Sequence, residues 1–301
     1  MLRIWNSVAG LAHDYWKDGN WGNDKEDLGD LEIKSSSRGK SSPVAPVKAE
    51  NLWHAKPSEI VEKMWGAGYV LPGDAQLTER LISPLGLTKD MNILDLSAGL
   101  GERPRKTAKE FGIPVKGLEA DPEIAARGKE LSMAQGAGKH ALIEYYDPLS
   151  LSTESRYDCV VARETIYRVS DKQKFIKAIV SCCKSKAQFS FTDYIVNPEA
   201  REHPAIAAWY AFENGASALG LVEMAELWAK EGVNIRVHDD LTDFYKTEVK
   251  NGLLRFAKFM ESGVKPDAET AKAINKHITS WAHRMAAIEH GMKFYRFYGQ
   301  R

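Results

Sequence analysis

Leu94-Asp95-Leu96-Ser97-Ala98-Gly99-Leu100-Gly101 decides the fold. The stretch follows the apolar run Asn92–Leu96 and precedes a helical pattern around Arg103–Phe111, so it reads as the turn from a buried strand into a helix. Gly99 and Gly101 suit a turn where backbone passes close to a ligand and bulky side chains would block the approach. Strand and helix patterns then alternate. Further β-type runs are Pro114–Glu119, Ala141–Tyr146, Asp158–Ala162 and Gln188–Tyr194, with helical stretches at Pro122–Met133 and Lys172–Cys183. The piece between Asp147 and Tyr157 is too short for a helix to be assigned. This alternation predicts a mostly parallel sheet with helices on both faces.

Outward from the glycine turn, acidic residues fall at the ends of the next two strands. Glu119 closes V-K-G-L-E, eighteen positions after Gly101, where a carboxylate can take both hydroxyls of a ribose. Asp147 stands in Tyr146-Asp147-Pro148, where it can accept from an adenine amino group. Singly, Glu119 reads equally well as a helix-start carboxylate and Asp147 as a turn residue. Together with the glycine turn they mark three successive strand ends, an arrangement suited to an adenosine at the topological switch point. The spaced G-x-G-x-x-G of dinucleotide sites is absent. Asp121 reads as a helix N-cap. Arg103 and Arg105, which follow Glu102 after the glycine turn, can meet a ligand's carboxylate or face solvent, and the solvent-facing reading is favoured.

With these residues identified, the stretch from about Trp65 to Tyr194 resembles class I S-adenosylmethionine (SAM)-dependent methyltransferases. The resemblance implies Asp95, Ser97, Ala98, Gly99 and Gly101 as first cofactor contacts, Glu119 on the ribose and Asp147 on the adenine, with S-adenosyl-L-homocysteine as product. Other segments are similar to phosphoethanolamine methyltransferases and related small-amine enzymes. Trp65–Asp74, W-G-A-G-Y-V-L-P-G-D, is similar to their F-G-x-G-Y-x-S-x-G-G. Arg163–Arg168 is similar to R-D-x-x-x-H, Thr192-Asp193-Tyr194 to the end of their fifth strand, and Asp240–Tyr245 to D-L-[ST]-x-x-[YW]. The likeness covers most of residues 53–301. It implies a seven-stranded Rossmann-like α/β fold whose last strand runs antiparallel beside the fifth, under a helical lid. It also places Tyr69 and Arg163 with the cofactor.

On the acceptor side the resemblance directs Tyr194, Arg168 and Glu164 to catalysis, and Arg168, Tyr194, Tyr210 and Tyr245 to substrate binding. Two departures matter. Arg168 stands where relatives have the histidine of R-D-x-x-x-H, and by ungapped alignment Trp53 stands where they have an active-site tyrosine. Arginine keeps its proton, so Arg168 cannot be a general base; it can bind an anionic group or form a surface ion pair. An acceptor that is neutral or anionic is therefore expected.

Composition narrows the classes. In 301 residues, 41 Lys+Arg balance 41 Asp+Glu, so no basic field points to nucleic acid. No apolar run is long enough to span a bilayer, and the first residues lack a secretory pattern. Cys159, Cys182 and Cys183 have neither disulfide nor metal-ligand spacing; a cytoplasmic setting and no metal are expected.

Three stretches organise the chain. Residues 1–17 carry Trp5, Val8, Ala9, Ala12 and Trp16 at helical spacing, 18–49 read as a flexible Ser- and Pro-containing connector, and 50–301 form the catalytic domain. Helical insertions are expected at about 197–231 and 243–290, the latter as helices Phe244–Met260 and from Asp267 onward. Val233–Val237 reads as a strand. Met292–Tyr298 is aromatic on both faces, which predicts a central terminal strand. The expected reaction is methyl transfer from SAM to a small molecule. Two alternatives stay open: a lipid or quinone methyltransferase using helix 1–17, with only Arg3 and Lys17 as basic residues, as interfacial anchor, or a SAM binder without transferase activity. Self-association through that helix is a further option.

Overall fold

A computed structural model describes residues 52–152, 156–214 and 216–301. The expected helix 1–17 and connector 18–49 lie outside them. In chain order the strands are β1 (Leu52–Trp53), β2 (Ile93–Asp95), β3 (Val115–Glu119), β4 (Ile143–Tyr145), β5 (Tyr157–Arg163), β6 (Cys183–Val196), β7 (Asn234–Asp240), β8 (Lys265–Pro266) and β9 (Met292–Gln300). The α-helices are α1 (Pro57–Trp65), α2 (Asp74–Ile82), α3 (Glu102–Phe111), α4 (Pro122–Ala134), α5 (Lys172–Ser181), α6 (Pro204–Phe212), α7 (Leu221–Lys230), α8 (Thr242–Glu261) and α9 (Ala268–Glu289).

Seven strands form one sheet in the order β4-β3-β2-β5-β6-β9-β7. β9 is antiparallel to both neighbours, and the pairs from β4 to β6 are parallel. This is the seven-stranded Rossmann-like methyltransferase architecture. The chain leaves β2 toward β3 and β4 on one side and returns to β5 on the other, so the order reverses beside β2, the place where such sheets open a crevice. β5 is mostly apolar, and β6 is buried from Phe189 through Val196 even at Ser190, Thr192 and Asp193, because both faces are covered, as parallel strands require. Phe294 and Phe297 of β9 point to opposite faces and are both fully buried, which is why the terminal strand sits inside the sheet.

Local chemistry fixes the helix starts. Asp121 accepts from the backbone N–H groups of Glu123 and Ile124 at the head of α4, and Asp171 and Asp267 cap α5 and α9 in the same way. α9 buries Ile274, Ile278, Trp281, Met285 and Ile288 along one face.

The boundaries differ from expectation where the sheet decides them. β6 runs on through Val196 because Ile195 and Val196 pair with Lys293 and Met292 of β9. β7 extends through the polar His238-Asp239-Asp240, an edge strand whose backbone still has β9 to pair with. Trp53 lies in the small β1–β8 pair, its ring edge-on to Phe259 at 5.0 Å. It packs on the helical layer and takes no part in the cavity described next.

Candidate active site

A cavity of about 690 Å³ opens at the switch point. Of the residues singled out in the sequence, Ser97, Glu119, Asp121, Asp147, Arg163, Glu164 and Arg168 border it, with Val70, Leu71, Tyr146, Thr165, Ser170 and Asn214 among the rest of its wall. Its size falls in the range of small-molecule and cofactor pockets.

The turn after β2 is built from its backbone. Gly99 and Gly101 have φ of 55° and 87°, a left-handed conformation that costs glycine nothing. A Cβ on Gly99 would stand 2.8 Å from Val70 Cγ2, and one on Gly101 would stand 2.6 Å from Arg105 Nη1. At Gly101 the missing side chain also makes room for Arg105 and Ile143. Ala98 and Gly99 lie off the main cavity. They face a small gap shared with Tyr69, under the loop that carries Val70.

Asp95 lies beneath the turn, off the main cavity. It is 1 % exposed and committed to the protein. Its oxygens accept from Arg103 Nε and Nη2 at 2.8 Å each, and from Ser97 N at 3.0 Å. Arg103 donates further to Ser97 O and Oγ, while Arg163 N donates to the same Oγ at 2.7 Å. Arg105 reaches Leu100 O, Ser132 and Glu102. Both arginines are therefore buried, contrary to the solvent-facing expectation, because a buried strand ending in Asp95 and a turn with free carbonyls need donors. That strand-end aspartate was the available signal.

Glu119 stands at the end of β3 with Oε2 accepting from Gly99 N at 2.9 Å and Oε1 from Asp121 N at 3.0 Å. Burial raises its pKa above the usual carboxylate range, outweighing those two donors and the attraction of Arg168. Asp147 is exposed on the cavity rim and caps the short turn after it, accepting from Leu149 N and Ser150 Oγ. A carboxylate has about four lone-pair sites, so both acids keep acceptor capacity toward the cavity.

Beyond β5, Glu164 adopts φ 53°, a strained conformation for a non-glycine residue. Its carboxyl group meets Arg163 Nη2 and the hydroxyls of Tyr194 and Tyr245. Arg163 is held in turn by Asp74 and Pro72 O. Tyr194 and Tyr245 are fully buried behind Glu164, amid Trp209 and Phe294, and do not reach the cavity wall. Tyr210 is off the cavity too, its hydroxyl accepting from Ala218 N. Tyr194 and Tyr245 are packed in the aromatic core, and Tyr210 lies half-buried against it. Arg168 is exposed, its Nε donating to Glu164 O and its guanidinium lying over the Tyr167 ring. Asp74, Ser170 and Asn214 were not singled out; Asn214 carries φ 53°, a conformation asparagine tolerates, and no sequence spacing links it to the other cavity residues.

The cavity suits an adenosine-bearing cofactor: acceptors for hydroxyl and amino groups stand on neighbouring strand ends. Known proteins agree in kind. A family model described as a methyltransferase domain matches residues 74–237. Phosphoethanolamine N-methyltransferase 1 of Zea mays is 22% identical over 201 residues, covering 65% of this chain and 39% of that protein. Norajmaline N-methyltransferase of Rauvolfia serpentina is 30% identical over 107 residues, covering 35% of this chain and 37% of that protein. The matched part of this chain thus spans about two fifths of the length of these curated relatives. Among solved structures, Haemonchus contortus phosphoethanolamine N-methyltransferase 2, in complex with phosphomonomethylethanolamine and S-adenosylhomocysteine, superposes with a TM-score of 0.70 at 18% identity. That match covers 81% of this chain and 57% of the other.

Proposed function

This chain belongs to the methyltransferase-domain family, and from that premise we propose that it uses S-adenosyl-L-methionine to methylate a small-molecule acceptor. The observation that carries the reading is the pair Glu119 and Asp147 on one cavity wall at adjacent strand ends. In this reading Glu119 accepts from the ribose hydroxyls and Asp147 from the adenine amino group. Ser97, locked by Arg103 and by Arg163 N, sets the backbone of the turn beneath the cofactor's amino-acid end. In this reading Arg163 is a positioning residue, its buried guanidinium engaged by Asp74, Pro72 O and Glu164.

When bound, the sulfonium supplies an activated methyl group, so what remains for the protein is alignment and exclusion of water. The residues left to meet an acceptor are Arg168, Glu164, Thr165, Ser170 and Asn214. The cation of Arg168 favours an acceptor that is neutral or anionic. Phosphoethanolamine, the substrate named for several relatives, is disfavoured because neither a phenol at Trp53 nor a titratable base at Arg168 is present. Three buried cysteines suit a reducing compartment such as the cytoplasm. Among the described residues no helix is long and apolar enough to cross a membrane.

The test is release of S-adenosylhomocysteine with a panel of neutral, anionic and amine acceptors. Turnover on a neutral or anionic member supports the reading. Tight cofactor binding with no release from any member would reduce the protein to a binder.

A further inference from the structure

Glu164, Tyr194 and Tyr245 form a triangle of oxygens closed to solvent. The Tyr194 hydroxyl lies 3.1 Å from Glu164 Oε2, the Tyr245 hydroxyl 3.0 Å from Oε1, and the two hydroxyls 2.7 Å from each other. Each residue is at most 1 % exposed. Three O···O contacts need three protons. Two phenols and an ionised carboxylate bring only two, leaving one contact as lone pair against lone pair, a costly arrangement in a buried site. Neither phenol can relieve this by ionising, because burial raises both well above their usual range.

Charge leads to the same conclusion. Arg163 pairs with Asp74 and reaches Glu164, while Arg103 pairs with Asp95 and lies 3.6 Å from Asp74. Two guanidinium groups thus already balance two aspartates. The other charges around the triangle have partners of their own: Arg284 of α9 binds Glu213, and Lys172 of α5 donates to Val169 O and Ser217 Oγ. Arg168 is exposed, where solvent screens it. An ionised Glu164 would leave this buried cluster with one uncompensated negative charge.

We propose that Glu164 rests as a neutral carboxylic acid that closes a one-directional ring of hydrogen bonds. Oε2–H donates to Tyr194, Tyr194 donates to Tyr245, and Tyr245 donates to Oε1, which also accepts from Arg163 Nη2. The ring holds Glu164 in its left-handed backbone conformation and leaves no anion behind the cavity wall. Taken with the methyl-transfer reading, on which this consequence rests, it refines the acceptor class. A protonated amine finds no anion at Glu164 and meets the cation of Arg168. An acceptor whose nucleophilic atom carries a lone pair and no positive charge, such as a carboxylate, meets neither obstacle.

Infrared difference spectra of the full-length, unliganded protein at neutral pH test the ring. Subtracting Glu164→Gln from wild type should leave the carbonyl stretch of a buried carboxylic acid, and Tyr245→Phe should shift that band. A difference containing only ionised carboxylate bands, or a band unmoved in Tyr245→Phe, would overturn the proposal. Glutamine places an N–H donor and a carbonyl where the acid has its hydroxyl and carbonyl, so Glu164→Gln should fold and melt within a few degrees of wild type. Its collapse would show that the charge is needed and would overturn the proposal equally. These spectra involve neither cofactor nor acceptor, so their outcome is independent of whether methyl transfer is found.

Discussion

The guanidinium of Arg103 grips the carboxylate of Asp95 through two parallel hydrogen bonds of 2.8 Å, with both groups buried beneath the glycine turn. The geometry is bidentate, and Asp74 and Ser97 take part of the same charge. Arg103→Met removes one partner and leaves Asp95 charged and unpaired in the interior. The expected cost is about 3–5 kcal/mol of folding stability. Urea denaturation of the variant beside wild type checks it, and a loss under about 1 kcal/mol, within reach of an exposed ion pair, would place the pair outside the core's requirements.

Asp193 gives a pH dependence of definite sign. Burial raises its carboxyl to about 7 despite two backbone donors, Tyr194 N and Ile166 N. The folded value exceeds the free-chain value of about 3.9, so the native state holds the proton more tightly. This contribution to stability is therefore full below about pH 3.9 and is lost as pH rises through about 7. Asp193→Asn should have a flatter dependence of melting temperature on pH across that window. A wild type that gains stability relative to the variant as pH rises would reverse the assignment.

Much of this was legible in the chain because local pattern and global fold agree. The alternation after Leu94, the aromatic terminal strand and the cap at Asp121 each follow from a period or a side chain that acts within a few residues. What the pattern could not supply was long-range pairing. Arg103 and Arg105 look like ordinary surface charges until Asp95 and the carbonyls of the turn are placed beside them. Tyr194 and Tyr245 are 51 positions apart, and only the packed sheet and helices bring their hydroxyls together behind Glu164. Of the expected site residues, Glu119 and Asp147 at strand ends border the cavity, whereas Asp95, Tyr194 and Tyr245 are buried away from its wall.

Arg168 should govern acceptor choice. Phosphoethanolamine and its mono- and dimethyl forms should be poor substrates of the wild-type protein. On an anionic acceptor, Arg168→Ala should lower kcat/KM by roughly 10- to 150-fold, the equivalent of about 1.5–3 kcal/mol for a charged hydrogen bond. Methyl-transfer assays across both acceptor classes decide. Efficient methylation of any phosphobase, persisting in Arg168→Ala, would restore the relatives' substrate to this chain.

The central claim is that the cavity holds S-adenosyl-L-methionine with Glu119 on its ribose. Isothermal titration calorimetry of the cofactor into wild type and Glu119→Ala measures this directly. The account predicts a single site in wild type and binding weaker by about 1.5–3 kcal/mol in the variant, with circular dichroism unchanged. No binding to wild type, or equal affinity for both folded proteins, would contradict it.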